Sequence, residues 1–365
     1  MKMLGHIREL RKTWVDNTFK YEVETPDGIS LPFQEKYDLS NEHEDLTSDV
    51  RINLAKAGYK LFNLIFSPRD NGLKDIRRVL IKALRSECCV LHFDSQDLYA
   101  PWTMLYVPPG SDDDIRDPKF DWPLEGFLGY RHWIQHQLHD GDLETKLPLR
   151  AGNRMDVGLN VDTRIDIGKS EENKLVGPLE KFVQGLTSAN PTKRSTKPDL
   201  EKAIAFGECD DHFMCFCCHA VVSDVGADPE MHHARMELSD GIEINTGDFE
   251  TWLSSRQLPN SVVFVDACQG GQMESMFYRS FGRTMLQNGA NCLIGPQLDL
   301  PTSFAYQYTT RFLEKFIVPQ TCIGDITREL AREFADRHSN PLGLMFTIYR
   351  GLDTRCVEGA DGYEK

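Results

Sequence analysis

Residues 212–219 read HFMCFCCH, and residues 261–271 read SVVFVDACQGG. Each stretch opens as a short, nearly continuous apolar run, the pattern of a strand buried on both faces. Each run leads into a reactive side chain: His219 in the first and Cys268 in the second. Around them strands alternate with helical patterns. The periodicity predicts a helix over 199–206, the strand 212–218, a hairpin over 235–245 turning on Ser239-Asp240-Gly241, and a helix over 248–255. The strand 261–265, a helix over 273–287 stopped by Asn288-Gly289, a strand over 291–295 and helices over 303–317 and 323–337 follow. Strands alternating with helices imply an α/β fold with a doubly wound, mainly parallel sheet.

Working back toward the N-terminus, residues 156–167 alternate Val157, Leu159 and Val161 with polar neighbours and predict a strand, with a helix over 172–186. The stretch SANPTKRSTKP (188–198) is the most Pro-, Ser- and Lys-rich in the chain and reads as a linker. Further back, KLFNLIF (60–66) reads as a strand. After the turn residues Asp70-Asn71-Gly72, Leu73, Ile76, Val79, Leu80 and Leu84 recur at helical spacing, and a second strand is expected over 88–93. That order is a βαβ unit. Residues 1–55 are polar and acidic and are expected to be an irregular lead-in. The expected organisation is therefore a lead-in over 1–55, one half over 56–190 and a second half over 191–365. No repeat of 20–50 residues is visible, which argues against a solenoid.

Composition bounds the function. Of 365 residues, 40% are hydrophobic and 27% charged, the proportions of a folded globular protein. The formal net charge of −15 repels phosphate, so nucleic acid is not expected as a direct ligand. No apolar run reaches the roughly 18 residues needed to span a bilayer, so no membrane association is expected. The opening MKMLGHIRELRKTW has neither an apolar core nor a small-residue cleavage site, which leads to the expectation of a cytoplasmic location. The ten cysteines are thinly spread and include the adjacent pairs Cys88-Cys89 and Cys217-Cys218, so reduced thiols are expected.

In open α/β sheets, ligand sites lie beyond the carboxyl ends of the strands, which puts His219 and Cys268 on one edge. Gly270 and Gly271 let the chain turn sharply after the thiol, and a helix N-terminus just beyond it would favour the thiolate, as a neutral imidazole within reach also would. Cys268 follows His219 by 49 residues in the context D-A-C-Q-G. The caspase signature Q-A-C-[RQG]-G, with its histidine about 50 residues upstream, has the same form.

From about residue 50 onward the chain resembles the CHAT domain, a relative of caspases and separases among the caspase-type cysteine peptidases. The resemblance rests on FCCHAVVSD, ELSDGIEINTGDF, VVFVDACQGG, NGANCLIGP and NPLGLMFTIYRG, with APWTMLY and GFLGYRHWIQ similar to the family's degenerate first half. Ala220 stands where relatives often have Gly, and Thr103 where an acidic residue is common. The resemblance implies a caspase-like α/β sheet with a degenerate, pseudo-caspase N-terminal half and an active C-terminal half. It implies that Cys268 attacks a scissile carbonyl, that His219 serves as base and then acid, and that the backbone N–H groups of Cys268 and Ala220 hold the oxyanion. It also implies a protein or peptide substrate, no cofactor, and control by an activator protein or sensor module of the kind found in CRISPR-associated antiviral defence. A pore-forming or other defence protein is the implied type of target. The competing expectation is a catalytically inert pseudo-protease that keeps the fold as a scaffold. No third, acidic member of the catalytic set is evident, and in such families a backbone carbonyl often orients the imidazole.

Asp266 precedes Cys268 by two residues and so shares its face of the strand. Beside the nucleophile its carboxylate would favour a cationic P1 side chain, Arg or Lys. The alternative is that it accepts backbone N–H bonds from the Gly270-Gly271 turn. Cys209, Cys215, Cys217 and Cys218 beside His212 and His219 suggest zinc at first sight, but adjacent strand residues face opposite sides and no second CxxC knuckle exists, so no metal is expected. His232 and His233 are read as solvated loop residues, with a substrate-contacting loop as the functional alternative. The run Asp112-Asp113-Asp114 is read as a solvated face, and Trp102 and Trp133 as packing residues.

Overall fold

The computed structural model describes residues 2–26, 28–66, 71–95, 98–138, 143–223, 233–266 and 278–359. The chain forms two compact units. The first comprises Met1–Phe93, Leu98–Ile134 and Thr327–Thr347, and the second Asp94–Asp97, Gln135–Ile326 and Ile348–Lys365.

The N-terminal segment corrects the first expectation. Residues 1–55 are not an irregular lead-in, since α1 (Lys2–Asn17) buries Ile7, Leu10 and Trp14, three apolar residues on one helical face scattered among charges. The segment 60–66 is not a strand. It is the last part of α2 (Glu44–Ile65), whose buried residues Leu46, Val50, Leu54, Leu61 and Phe62 keep one helical stripe running through it. A window opening at Lys60 cuts that stripe and hides its period. The βαβ unit expected there therefore does not form. The next helix, α3 (Asn71–Ser86), and the strand β1 (Val90–Asp94) follow the prediction closely. Trp102 is buried and stacks on Phe93 with ring centroids 3.9 Å apart, the packing role expected of it.

The second unit is built on a sheet. After β2 (Trp133–Gln137) come β3 (Met155–Val161), α4 (Val176–Gly185) and β4 (Ala189–Arg194), so the expected linker over 188–198 is largely a strand, and the boundary at 190/191 falls inside it. Then follow α5 (Lys197–Ala205) and β5 (Phe213–Cys217). A three-stranded excursion comes next, made of β6 (His219–Ser223), β7 (His233–Glu237) and β8 (Glu243–Asn245). The β7–β8 hairpin turns as predicted, with Gly241 at φ +68, a left-handed conformation that suits glycine. The chain returns through α6 (Thr246–Leu253) to β9 (Val262–Val265), then α7 (Arg283–Gln287), β10 (Cys292–Pro296), α8 (Thr302–Phe316), α9 (Ile323–Arg337) and β11 (Phe346–Arg350).

Among the described residues the large sheet has eight strands in the order β1-β2-β11-β10-β9-β5-β3-β4, and β4∥β3, β3∥β5, β5∥β9 and β9∥β10 are parallel. Read from β4 to β11, the strands stand in the order 2-1-3-4-5-6, with the direction of winding reversing between β3 and β5. Side-chain parity shows helices on both faces. Phe213 and Phe264 project to the face where Phe312 of α8 packs, whereas Phe216, three residues along β5, meets Phe249 of α6 on the other. This is the doubly wound α/β architecture expected. Among the described residues, no helix is long and apolar enough to cross a membrane, and nine cysteines are free thiols.

Candidate active site

Three parallel strands end side by side at the carboxyl edge. β5 is in the middle, with β3 on one side in the register Val161↔Cys217 and β9 on the other in the register Val265↔Phe216. The residue after β3 is Asp162, whose N–H donates to the Cys217 carbonyl at 2.8 Å. The residue after β9 is Asp266, whose N–H donates to the Phe216 carbonyl at 2.8 Å. His219 follows β5 and opens β6. The sheet thus delivers an imidazole beside the Asp162 carboxylate at the point where its winding reverses, where open α/β sheets hold their ligands.

The imidazole is oriented. His219 Nδ1 lies 2.6 Å from Asp162 Oδ2, and Asp162 is fully buried while the histidine side chain is 26% exposed. A proton on Nδ1 donated to that carboxylate leaves Nε2 as the basic nitrogen. Asp162 is anchored in turn by Arg164, whose backbone N–H donates to Oδ1 at 2.9 Å, Nε to Oδ1 at 2.8 Å and Nη2 to Oδ2 at 2.8 Å. Burial acts to raise the Asp162 carboxyl, but the bonds from Arg164 and His219 outweigh it and hold the group below the usual carboxylate range. Arg164 Nη2 also donates to Glu237 Oε2 at 3.0 Å and to the Leu238 carbonyl at 2.9 Å. Glu237 is the β7 residue paired with His219 across the small sheet, so the guanidinium ties the segment that carries Asp162 to the strand paired with the one that carries His219. Its two carboxylate partners raise the Arg164 pKa further above its ordinary value. Ser239 adds a further tie, receiving the Thr163 N–H at 2.9 Å and donating to the Val161 carbonyl at 3.2 Å.

Asp266 is also fully buried but differently surrounded. The Thr309 hydroxyl of α8 donates to its Oδ2 at 2.7 Å, and burial pushes the carboxyl up to about 6, against the lowering effect of that bond. Ala220 is buried in β6 opposite Met236. Cys268, Gly270, Gly271 and His232 lie outside the described residues, and of His233 the structure describes the β7 backbone, paired with Ser223.

The cysteine cluster behaves as packing. Cys215 Sγ and Cys217 Sγ are 3.6 Å apart in the core, and Cys209 Sγ lies 3.5 Å from Asp211 Oδ2. His212 is committed to backbone, accepting the Asp156 N–H on Nδ1 at 3.1 Å and meeting the Pro148 carbonyl through Nε2 at 2.9 Å. Burial raises the Cys218 thiol, so this neighbour of His219 is held as an inert thiol. Among the described residues, no group of three His, Cys, Asp or Glu side chains is placed to hold a metal ion.

The residue that sequence reasoning missed is Asp162. Half of its signal was present: DVGLNVDTR ends an alternating strand in an acidic residue, as SVVFVD does, but its adjacency to the strand leading to His219 was not.

No protein-family model matches the chain, and no curated protein does. Solved structures of similar shape include two crystal structures of the Saccharomyces cerevisiae separase–securin complex. One gives a TM-score of 0.41 at 10% identity, covering 98% of this chain and 23% of that chain. The other gives 0.39 at 10% identity, covering 95% and 22%. A Geobacter sulfurreducens protein, GSU0716, gives a TM-score of 0.27 at 15% identity, over 44% of this chain and 81% of that chain. The chain thus spans under a quarter of the length of the separase chains.

Proposed function

We propose that the chain is a caspase-like cysteine endopeptidase in which Cys268 is the nucleophile and His219 the acid–base group. The observation that carries this reading is the His219–Asp162 pair at 2.6 Å, poised at the reversal point of a sheet whose neighbouring strand β9 ends three residues before Cys268 in the sequence. A base needs its proton-accepting nitrogen free and its other nitrogen tied down, and Asp162 does the tying.

In this mechanism, His219 Nε2 takes the proton of the Cys268 thiol, the resulting thiolate forms a bond to the scissile carbonyl carbon, and the carbonyl π pair moves onto oxygen. That oxyanion is held by the backbone N–H groups of Cys268 and Ala220. As it collapses, the C–N bond breaks and His219 Nε2 gives its proton to the departing amine. Water then attacks the thioester, His219 takes the water's proton, and the C–S bond breaks to release the acid and restore the thiolate. Asp162 is a positioning residue: it fixes the imidazole tautomer and stabilises the imidazolium.

Asp266 is the specificity residue of this proposal. Asp266 lies two residues before Cys268, and a buried carboxyl bonded by a neutral hydroxyl is stabilised by a nearby cation, so the proposed preference is Arg or Lys at P1. Peptides differing only in P1 Arg or P1 Asp test it: turnover of the Arg peptide by the wild type and none by Cys268→Ala is expected. Faster turnover of the Asp peptide removes the role of Asp266. Equal labelling of wild type and Cys268→Ala by a thiol-directed probe, or no labelling with any candidate activator protein, favours the scaffold reading instead.

A further inference from the structure

The helix α3 (Asn71–Ser86) is the main anomaly in a chain of net charge −15. It carries Lys74, Arg77, Arg78, Lys82 and Arg85 against a single acidic residue, Asp75. At 100° per residue, Lys74, Arg78, Lys82 and Arg85 fall within an arc of about 80°, so four cations form one row along the helix. The row borders an open cleft of about 620 Å³ whose lining includes all five cations and Asp112.

We propose that this cleft is a docking site for an acidic polypeptide segment of a partner protein, recognised by its carboxylates. Three observations favour that occupant. The cleft already seats one carboxylate: Arg85 Nη2 donates to Asp112 Oδ1, and Arg85 Nε donates to the Pro108 carbonyl at 2.8 Å, a charge-assisted cradle at one end of the row. Lys74, Arg78 and Lys82, farther along, are exposed, Arg78 pairing with the exposed Asp75 at 3.2 Å in a solvated contact that an incoming carboxylate can replace, and the row from residue 74 to 85 spans about 17 Å, the length of about five residues of extended chain. The overall charge selects against long polyanions. A nucleic acid extends well beyond the screening length of about 8–10 Å and meets the acidic field of the whole molecule, whereas a short acidic segment fits within the basic row. A membrane surface is an outcome of the test, because Ile76 and Val79 are exposed on the same helix.

The test uses a fluorescein-labelled ten-residue peptide of alternating Glu and Asp, titrated by anisotropy with the full chain. Saturable binding is expected, weakened severalfold between 0.05 and 0.3 M salt and at least about tenfold by Lys74→Glu/Arg78→Glu/Lys82→Glu, with a Gln/Asn peptide of equal length not binding. The three positions are solvent-exposed, and thermal melting of the variant verifies its fold. Equal affinity of wild type and variant, or absence of saturable binding to the wild type, overturns the proposal. Tighter binding of a ten-nucleotide oligothymidine or of phosphatidylserine vesicles also overturns it and assigns the row to that ligand.

Discussion

Asp162 and Asp266 lie on either side of β5, at the same edge and equally buried, yet they are driven in opposite directions. Asp162 is held below the usual carboxylate range and Asp266 is pushed up to about 6. Burial raises both, so the difference comes from their partners. Asp162 receives three hydrogen bonds from Arg164 and one from His219, whereas the bond opposing burial at Asp266 comes from the neutral Thr309 hydroxyl. One carboxylate is held in its charged form to lower pH than usual, which suits it to holding an imidazolium. The other is poorly solvated and suited to receiving a cation. In the proposed peptidase, one aspartate would orient the base and the other would select a charged substrate.

Removing the charge at Asp162 breaks the comparison most severely. Asp162→Asn keeps the shape but offers His219 an amide that can donate to Nδ1, favouring the tautomer with its proton on Nε2, where the base must be free. A fall in kcat of about 10²–10⁴-fold is expected, by analogy with other oriented-histidine sites, with KM nearly unchanged. Steady-state kinetics on a P1-Arg peptide measure it, and a kcat within threefold of wild type would show that Asp162 does not orient the base.

Asp266 should announce itself in stability. Its folded pKa of about 6 lies above the ordinary 3.8, so the folded state binds the extra proton. The group's contribution is fully present below about pH 4 and is lost as pH rises through about 6, a change of about 3 kcal/mol. Asp266→Asn has no such titration. The stability of wild type relative to the variant should therefore drop by about that amount between pH 4 and pH 7.5, measured by denaturant unfolding at each pH. A constant difference would mean that Asp266 is ionised throughout. The same variant should lose its preference for P1 Arg.

How far the sequence disclosed this edge depends on what each signal required. β5 and β9 were legible because strands buried on both faces are continuously apolar, and the α8 and α9 helices because their stripes run for four turns. His219 and Asp266 followed directly as strand-end residues. β4 was hidden, because ANPTKR is an edge strand with exposed polar residues and carries Pro191, so its composition reads as a linker. α1 was hidden because three buried residues among sixteen leave too weak a period. Asp162 needed a different kind of information. Nothing in DVGLNVDTR says that this strand end adjoins that of β5, because strand order is a tertiary property. Only the 2-1-3 placement of β4, β3 and β5 brings Asp162 to His219.

Arg164→Met tests what holds the two carboxyl groups apart. Without its guanidinium and with burial unchanged, Asp162 moves toward the behaviour of Asp266. The sign follows from the wild type: a carboxyl depressed in the fold contributes stability above the usual carboxylate range and loses it only as pH falls through its depressed value. In the variant that loss, and the protonation that disables the base, begin at higher pH. The acid limb of the kcat/KM profile should shift upward, with a rate loss of about tenfold near pH 5.5 that shrinks toward pH 8. A loss uniform across pH would place Arg164 in packing alone.

Glu237→Gln is the mildest of the four and the most selective. Glu237 accepts one bond from Arg164 Nη2, but that same nitrogen also donates to Asp162 Oδ2 and to the Leu238 carbonyl, so the guanidinium keeps its grip on Asp162 when the charge is removed. The pair is also partly solvated, with the two side chains 37% and 30% exposed, and water screens much of its attraction. A change in kcat of no more than about threefold is expected, with the pH profile unmoved. A profile that shifted as far as that of Arg164→Met would show that the charge on β7, and not the bonds at Asp162, sets the state of the imidazole. The contrast between the two aspartates would then originate in the small sheet rather than at the edge of the large one.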